Sequence, residues 1–210
     1  PANSWTTEEK DALRAAWPEI AFHWPVTICG AEYKGDETTV DLKGKKLTAE
    51  DLDGIVKYGR DLPEVTLVDL TDTGVSLADA LRVKEVFPNA KLTFAFDLYG
   101  KNVTTEDTFI DFTGVKMGSM DQLEAALPLL PKLEKVEMTD CGFSDEDMDK
   151  LNKRHEGVHF IWTMHMGRST VIRTDDQGFI GTMDHYLVFN NKTIKKLTYC
   201  WDMRCIDLGH

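Results

Sequence analysis

Apolar and polar residues alternate through residues 20–29, with Ile20, Phe22, Trp24, Val26 and Ile28 on one side. A period of two predicts an extended strand with one buried face. The pattern returns at 90–99, where Leu92, Phe94, Phe96 and Leu98 alternate, and at 158–166, where Phe160, Trp162, Met164 and Met166 do. Each long strand follows a helical segment. Residues 6–17 open with Thr6 and an acid three positions on, the capping-box pattern, and Pro18 closes them. Residues 76–87 and 145–155 are the matching helices. After each long strand come a polar loop (30–37, 100–107, 167–177), a short strand (39–42, 109–112, 179–180), a second helix (48–59, 119–130, 190–199) and a second short strand (65–70, 136–138, 206–208).

The unit is therefore helix, long strand, loop, short strand, helix, short strand, written three times. Its copies cover residues 6–75, 76–143 and 144–210, all within one domain of 210 residues. Equivalent leucine-like positions at 70, 138 and 208 are separated by 68 and 70 residues (138 − 70; 208 − 138). A fixed period of this size signals a repeat architecture, and it predicts an α/β fold with short parallel strands on one face and helices on the other.

The second short strands read Val65xxVal68xLeu70xxThr73, Leu133xxVal136xMet138xxCys141 and Met203xxIle206xLeu208. This spacing resembles the leucine-rich repeat family, in its divergent bacterial form. The resemblance implies a solenoid of three double repeats of about 70 residues with extra long strands in alternate units. It implies a non-enzymatic module that binds a protein or glycan, secreted or at a cell surface. The chain departs from the family in its extra strands and in having Thr73 and Cys141 where an asparagine is usual. The break after Leu208 resembles a cut inside a longer array, and an uncapped edge of this kind invites self-association.

Charge changes the picture next. A net charge of −12 excludes a phosphate-backbone binder and suits a basic partner. No apolar run reaches membrane-spanning length. The residue between two core positions of a short strand points outward. It is Asp41, Asp69, Asp111, Glu137 and Asp207 in five of the six short strands, with Gly181 breaking the series. Stacked in parallel, these carboxylates would lie about 4.8 Å apart and raise one another's pKa. They form the candidate partner-binding stripe.

Candidate chemistry is sparse. No phosphate loop, dinucleotide fingerprint, nucleophile elbow or HExxH is present, so no catalytic residue, metal ligand or cofactor is assigned. His165 and Asp97 would be lateral neighbours if the copies stack in register. The alternatives to a binding module are a hydrolytic or metal-dependent activity in the loops at 99–107 and 167–177, and a spacer segment of a larger surface protein. The aromatic column Phe22, Trp24, Phe94, Phe96, Phe160 and Trp162 reads as core. Cys29, Cys141, Cys200 and Cys205 lack paired spacing and read as free, buried thiols.

Overall fold

The computed structural model describes residues 5–166, 170–181 and 190–208. It is a mixed α/β protein of small parallel and antiparallel sheets with six helices among the described residues. In chain order the elements are α1 (Thr7–Ala16), β1 (Val26–Ile28), β2 (Ala31–Tyr33), β3 (Thr39–Asp41), α2 (Ala49–Tyr58), β4 (Leu67–Asp69), α3 (Leu77–Val86), β5 (Lys91–Thr93), β6 (Ala95–Leu98) and β7 (Lys101–Thr104). They continue with β8 (Phe109–Asp111), α4 (Asp121–Ala126), β9 (Lys135–Glu137), α5 (Asp145–Arg154), β10 (His159–Ile161), β11 (Thr163–His165), β12 (Val171–Arg173), β13 (Gly178–Ile180), α6 (Asn191–Leu197) and β14 (Cys205–Asp207). Short 3-10 turns at Gly59–Asp61 and Leu127–Leu129 extend α2 and α4. Contacts divide the chain into two compact units, Pro1–Asp97 and Leu98–His210.

Helix starts follow local chemistry. Thr6 and Thr48 make reciprocal capping boxes with Glu9 and Asp51, and Asn190 does so with Thr193. Ser76 and Ser144 accept from the backbone N–H three residues on. Each cap satisfies donors that a helix start otherwise leaves orphaned.

In the first unit β3, β4 and β5 form a parallel sheet, with Val40, Val68 and Leu92 side by side. All three are buried. In the second unit β8, β9 and β10 repeat this with Ile110, Val136 and Phe160 in register. There β13 and β14 form a separate parallel pair, Phe179 beside Ile206. The six short strands thus lie in three parallel sheets, two at a time, and not in one continuous ladder.

The long strands are the main departure from the sequence pattern. Residues 90–98 and 158–166 each break at an aromatic, Phe94 and Trp162. The first half of each joins the parallel sheet, as β5 and β10. The second half leaves it: β11 turns into an antiparallel pair with β12. In the first copy only β1 is regular, paired with β2. Alternation continues through each break, because both halves bury the same face, so period two cannot reveal the change of sheet. The supposed extra strands at 90–98 and 158–166 supply, through their first halves, the third strands of the parallel sheets. The expected loops at 30–37, 100–107 and 167–177 supply β2, β7 and β12.

The aromatic column is core. Trp24, Phe94, Phe96, Phe160 and Trp162 are all buried, and Phe22 is half-buried against Trp24, their rings stacked at 5.3 Å. Cys141 and Cys200 are buried free thiols, each pushed up to about 11 by burial. Cys205, by contrast, is exposed, at the outward first position of β14 that the exposed Lys135 takes in β9.

Candidate functional site

The carboxylates of the predicted stripe occupy the last residue of each strand. Register places Asp41 beside Asp69 in the first unit and Asp111 beside Glu137 in the second. Thr93 and Ile161 take the third places, so each sheet carries a pair of acids rather than a run. Asp207 stands beside Ile180. The break in the series therefore falls at Ile180, one residue before Gly181.

Four of these acids make the same local bond. The backbone N–H two residues on donates to the carboxylate: Lys43 to Asp41 at 3.0 Å, Thr71 to Asp69 at 2.9 Å, Thr113 to Asp111 at 2.8 Å and Thr139 to Glu137 at 3.1 Å. This is the Asx-type turn by which a short acid substitutes for a backbone acceptor. It stops the strand and turns the chain toward the helix side. The signal was present in the sequence as an acid followed two residues later by threonine or lysine.

At Asp69 and Asp111 the bonds reverse the expected titration. Partial burial pushes the Asp69 carboxyl up, but the Thr71 hydroxyl, the Thr71 N–H and the Lys43 charge outweigh it and hold it below the usual range. The hydroxyl and N–H of Thr113 hold Asp111 low, helped by Lys101. Like-charge repulsion across the sheet is thus smaller than two charge-assisted hydrogen bonds. The consequence is measurable. A carboxylate depressed in the folded state adds stability above its unfolded pKa of about 3.9, and that stability is lost as pH falls through the folded value. Thermal melts from about pH 5 to about pH 2 should therefore show a shallower acid decline for Asp69→Asn and Asp111→Asn than for wild type. Equal slopes would mean the turns do not bias ionisation.

The acids differ in access. Asp41, Asp111 and Asp207 are exposed and Asp69 is half-buried. Glu137 is buried, at 6% exposure. Its second oxygen pairs with Arg173 of β12 at 2.7 Å, and the Thr139 hydroxyl donates to its first at 2.6 Å. Arg173 is itself shared with Asp175. Glu137 thus serves to pin the β11–β12 hairpin onto the parallel sheet, and it leaves the accessible stripe. Pattern reading missed this because Arg173 lies in what the sequence presents as a variable loop.

A cleft of ≈ 450 Å³ opens in the second unit, where β9 and β11 end and α5 begins. Three of its charged groups, Asp145, Lys196 and Lys116, are committed to the fold. Asp145 accepts from Trp162 Nε1 at 3.0 Å and pairs with Lys196 at 2.9 Å. Lys196 also donates to the His165 carbonyl, and Lys116 to that of Asp140. His165 is exposed at the end of β11, which among the described residues pairs with β12 alone, and Asp97 belongs to the first unit. Residues 167–169 of the loop proposed for chemistry lie outside the described residues. Among the described residues, no three His, Cys, Asp or Glu side chains are grouped to hold a metal ion, and no helix is long and apolar enough to cross a membrane. Comparison with protein-family models, with characterised proteins and with solved structures finds no match to this chain.

Proposed function

We propose that the chain is a non-enzymatic interaction module of leucine-rich-repeat type, a solenoid that engages a basic protein partner through the outward acids of its parallel sheets. The observation that carries this reading is the lateral pair Asp41 and Asp69, with Asp111 at the same place in the next sheet. These acids are held by their turns and directed away from the core. Glycan binding is the other class that the resemblance implies, and such modules belong in secreted or cell-surface proteins. Glu137 is excluded from the partner surface by its bond to Arg173.

Opposed charges on such a face raise association rate and orientation more than raw affinity, and salt weakens them. The test is a titration of the labelled protein with a six-lysine peptide, followed by amide NMR. Shifts should map to residues 41–43, 69–71 and 111–113 and fade by about 0.5 M salt. Asp41→Asn with Asp69→Asn should remove the first two clusters and leave the third. Shifts confined to the acidic start of α5 would defeat the proposal.

A further inference from the structure

The third copy departs from the other two at a pair of positions that line one groove. In the first two copies a proline follows the first helix, Pro18 after α1 and Pro88 after α3. A Leu-Pro pair closes the turn after the second helix, ending at Pro63 and Pro131. Their offsets are those of the repeat (88 − 18 = 70; 131 − 63 = 68). Carried on, they reach Glu156 and Trp201 in the third copy (156 − 88 = 68; 201 − 131 = 70). Proline at such a place fixes the backbone and offers no polar side chain. Replacing it twice in one copy, by an acid and an indole, adds chemistry that the fold does without elsewhere, and such local departures mark functional positions.

Both replacements line a groove of ≈ 390 Å³ within the second unit, a size that suits a small ligand. One wall is the end of α5 with the turn after it. Asp149, Asn152, Lys153 and Glu156 stand there at the i, i+3, i+4 and i+7 places of a single helix face. The other wall is the turn after α6, which carries Trp201, and His159 of β10 lies between them. Trp201 is fixed at two points. Its backbone N–H donates to the Thr174 carbonyl at 3.2 Å, and its ring stacks on that of His159 with centres 4.2 Å apart and planes 13° apart. Even so, 39% of its surface is exposed. A large flat ring held in place without being buried is a platform already ordered for a ligand.

The polar groups around it supply both kinds of hydrogen-bonding partner. The side-chain carbonyl of Asn152 accepts from the Phe160 N–H at 3.1 Å, which leaves its amide nitrogen as a donor. Lys153 Nζ and the Asp149 carboxylate lie 2.7 Å apart, a donor and an acceptor whose charges offset each other. Glu156 is exposed and pairs with no cation among the described residues.

That mixture selects the ligand. A cationic side chain would meet Lys153, and an anion would meet two carboxylates. An apolar side chain would strip water from four polar groups without replacing their hydrogen bonds. A neutral pyranose satisfies all of them: its C–H face lies on an aromatic ring, and its rim of hydroxyls both donates and accepts. We infer that this groove is a subsite for one neutral pyranose unit of a glycan, with Trp201 as the stacking platform and Asp149, Asn152, Lys153 and Glu156 as the hydroxyl partners. It goes beyond the acid pairs proposed to meet a basic protein, which use other residues, so neither result decides the other. Hydroxyls that miss their partners leave polar groups unpaired, and binding should therefore distinguish one sugar from its epimer.

The test is amide NMR of the whole chain, titrated to about 10 mM with cellotriose, mannotriose or chitotriose and, in parallel, with N-acetylarginine amide, a range that resolves weak binding. At least one trisaccharide should shift residues 149–159 and 198–202 and the Trp201 indole N–H. The shifts should persist in about 0.5 M salt, because the ligand carries no charge. Trp201→Ala should weaken binding at least about tenfold, and Trp201→Phe clearly less. Glu156→Gln keeps the size of an exposed side chain and should weaken it about threefold or more, which carries the test if Trp201→Ala fails to fold. Silence from all three sugars overturns the inference. Binding that Trp201→Ala leaves unchanged does so too, as does tighter binding of N-acetylarginine amide at the same residues, which would mark a socket for a basic side chain.

Discussion

Replacing Trp162 with alanine is expected to lower the unfolding free energy by about 3–5 kcal/mol, the range for truncating a buried aromatic. Trp162 is 4% exposed and stands where the chain leaves the parallel sheet for the hairpin. Three kinds of contact hold it. Its backbone N–H donates to the buried Thr174 hydroxyl at 3.2 Å, its ring Nε1 donates to Asp145 at 3.0 Å, and its ring lies 6.1 Å from that of Tyr199. Alanine keeps the first and removes the other two. Asp145 would retain Lys196, so the loss is mostly packing rather than a stranded charge. Trp162→Phe separates the effects: it should recover most of the stability while leaving Asp145 without the indole donor. Denaturant unfolding of both variants measures this. A cost for alanine below about 1 kcal/mol would mean that the aromatic column is not the core of the second unit.

The same residue shows where sequence reading stops. The alternation of Phe160, Trp162, Met164 and Met166 marks four buried positions correctly but misses Ile161, which is buried as well. It cannot show that Phe160 belongs to a parallel ladder with Val136 while Met164 belongs to a hairpin with Ile172. Burial is periodic in both, and pairing is set by residues distant in sequence. Helix starts were legible because a cap is local: Thr6 with Glu9, Thr48 with Asp51. The carboxylates were legible as outward positions, but their roles were not. Thr71 and Thr113 decide the ionisation of Asp69 and Asp111 from two residues away, a distance readable in principle. Arg173 decides the fate of Glu137 from another hairpin, which no local pattern encodes.

Asp61→Ala should be the second large effect, about 2–4 kcal/mol, and its site explains how a helix without core residues stays attached. Asp61 is 3% exposed in the turn after α2. It takes Lys10 Nζ and Arg14 Nη2 of α1, each at 2.5 Å. Both cations also lie over the Trp24 ring, at 5.4 and 4.7 Å from its centre. Removing one member of a buried ion pair leaves its partners desolvated and uncompensated, which typically costs about 3–5 kcal/mol. The partial exposure of Arg14, 30%, lowers the figure. Ten residues are too few for a helix to persist alone in water, so α1 should melt once released. Amide exchange should lose protection from residue 7 to residue 16 first. The double variant Lys10→Met with Asp61→Leu should cost clearly less than its two single changes added together, because the buried Lys10 cation goes with its carboxylate while the more exposed Arg14 keeps Asp11. Strict additivity would show that the pair does not anchor the helix.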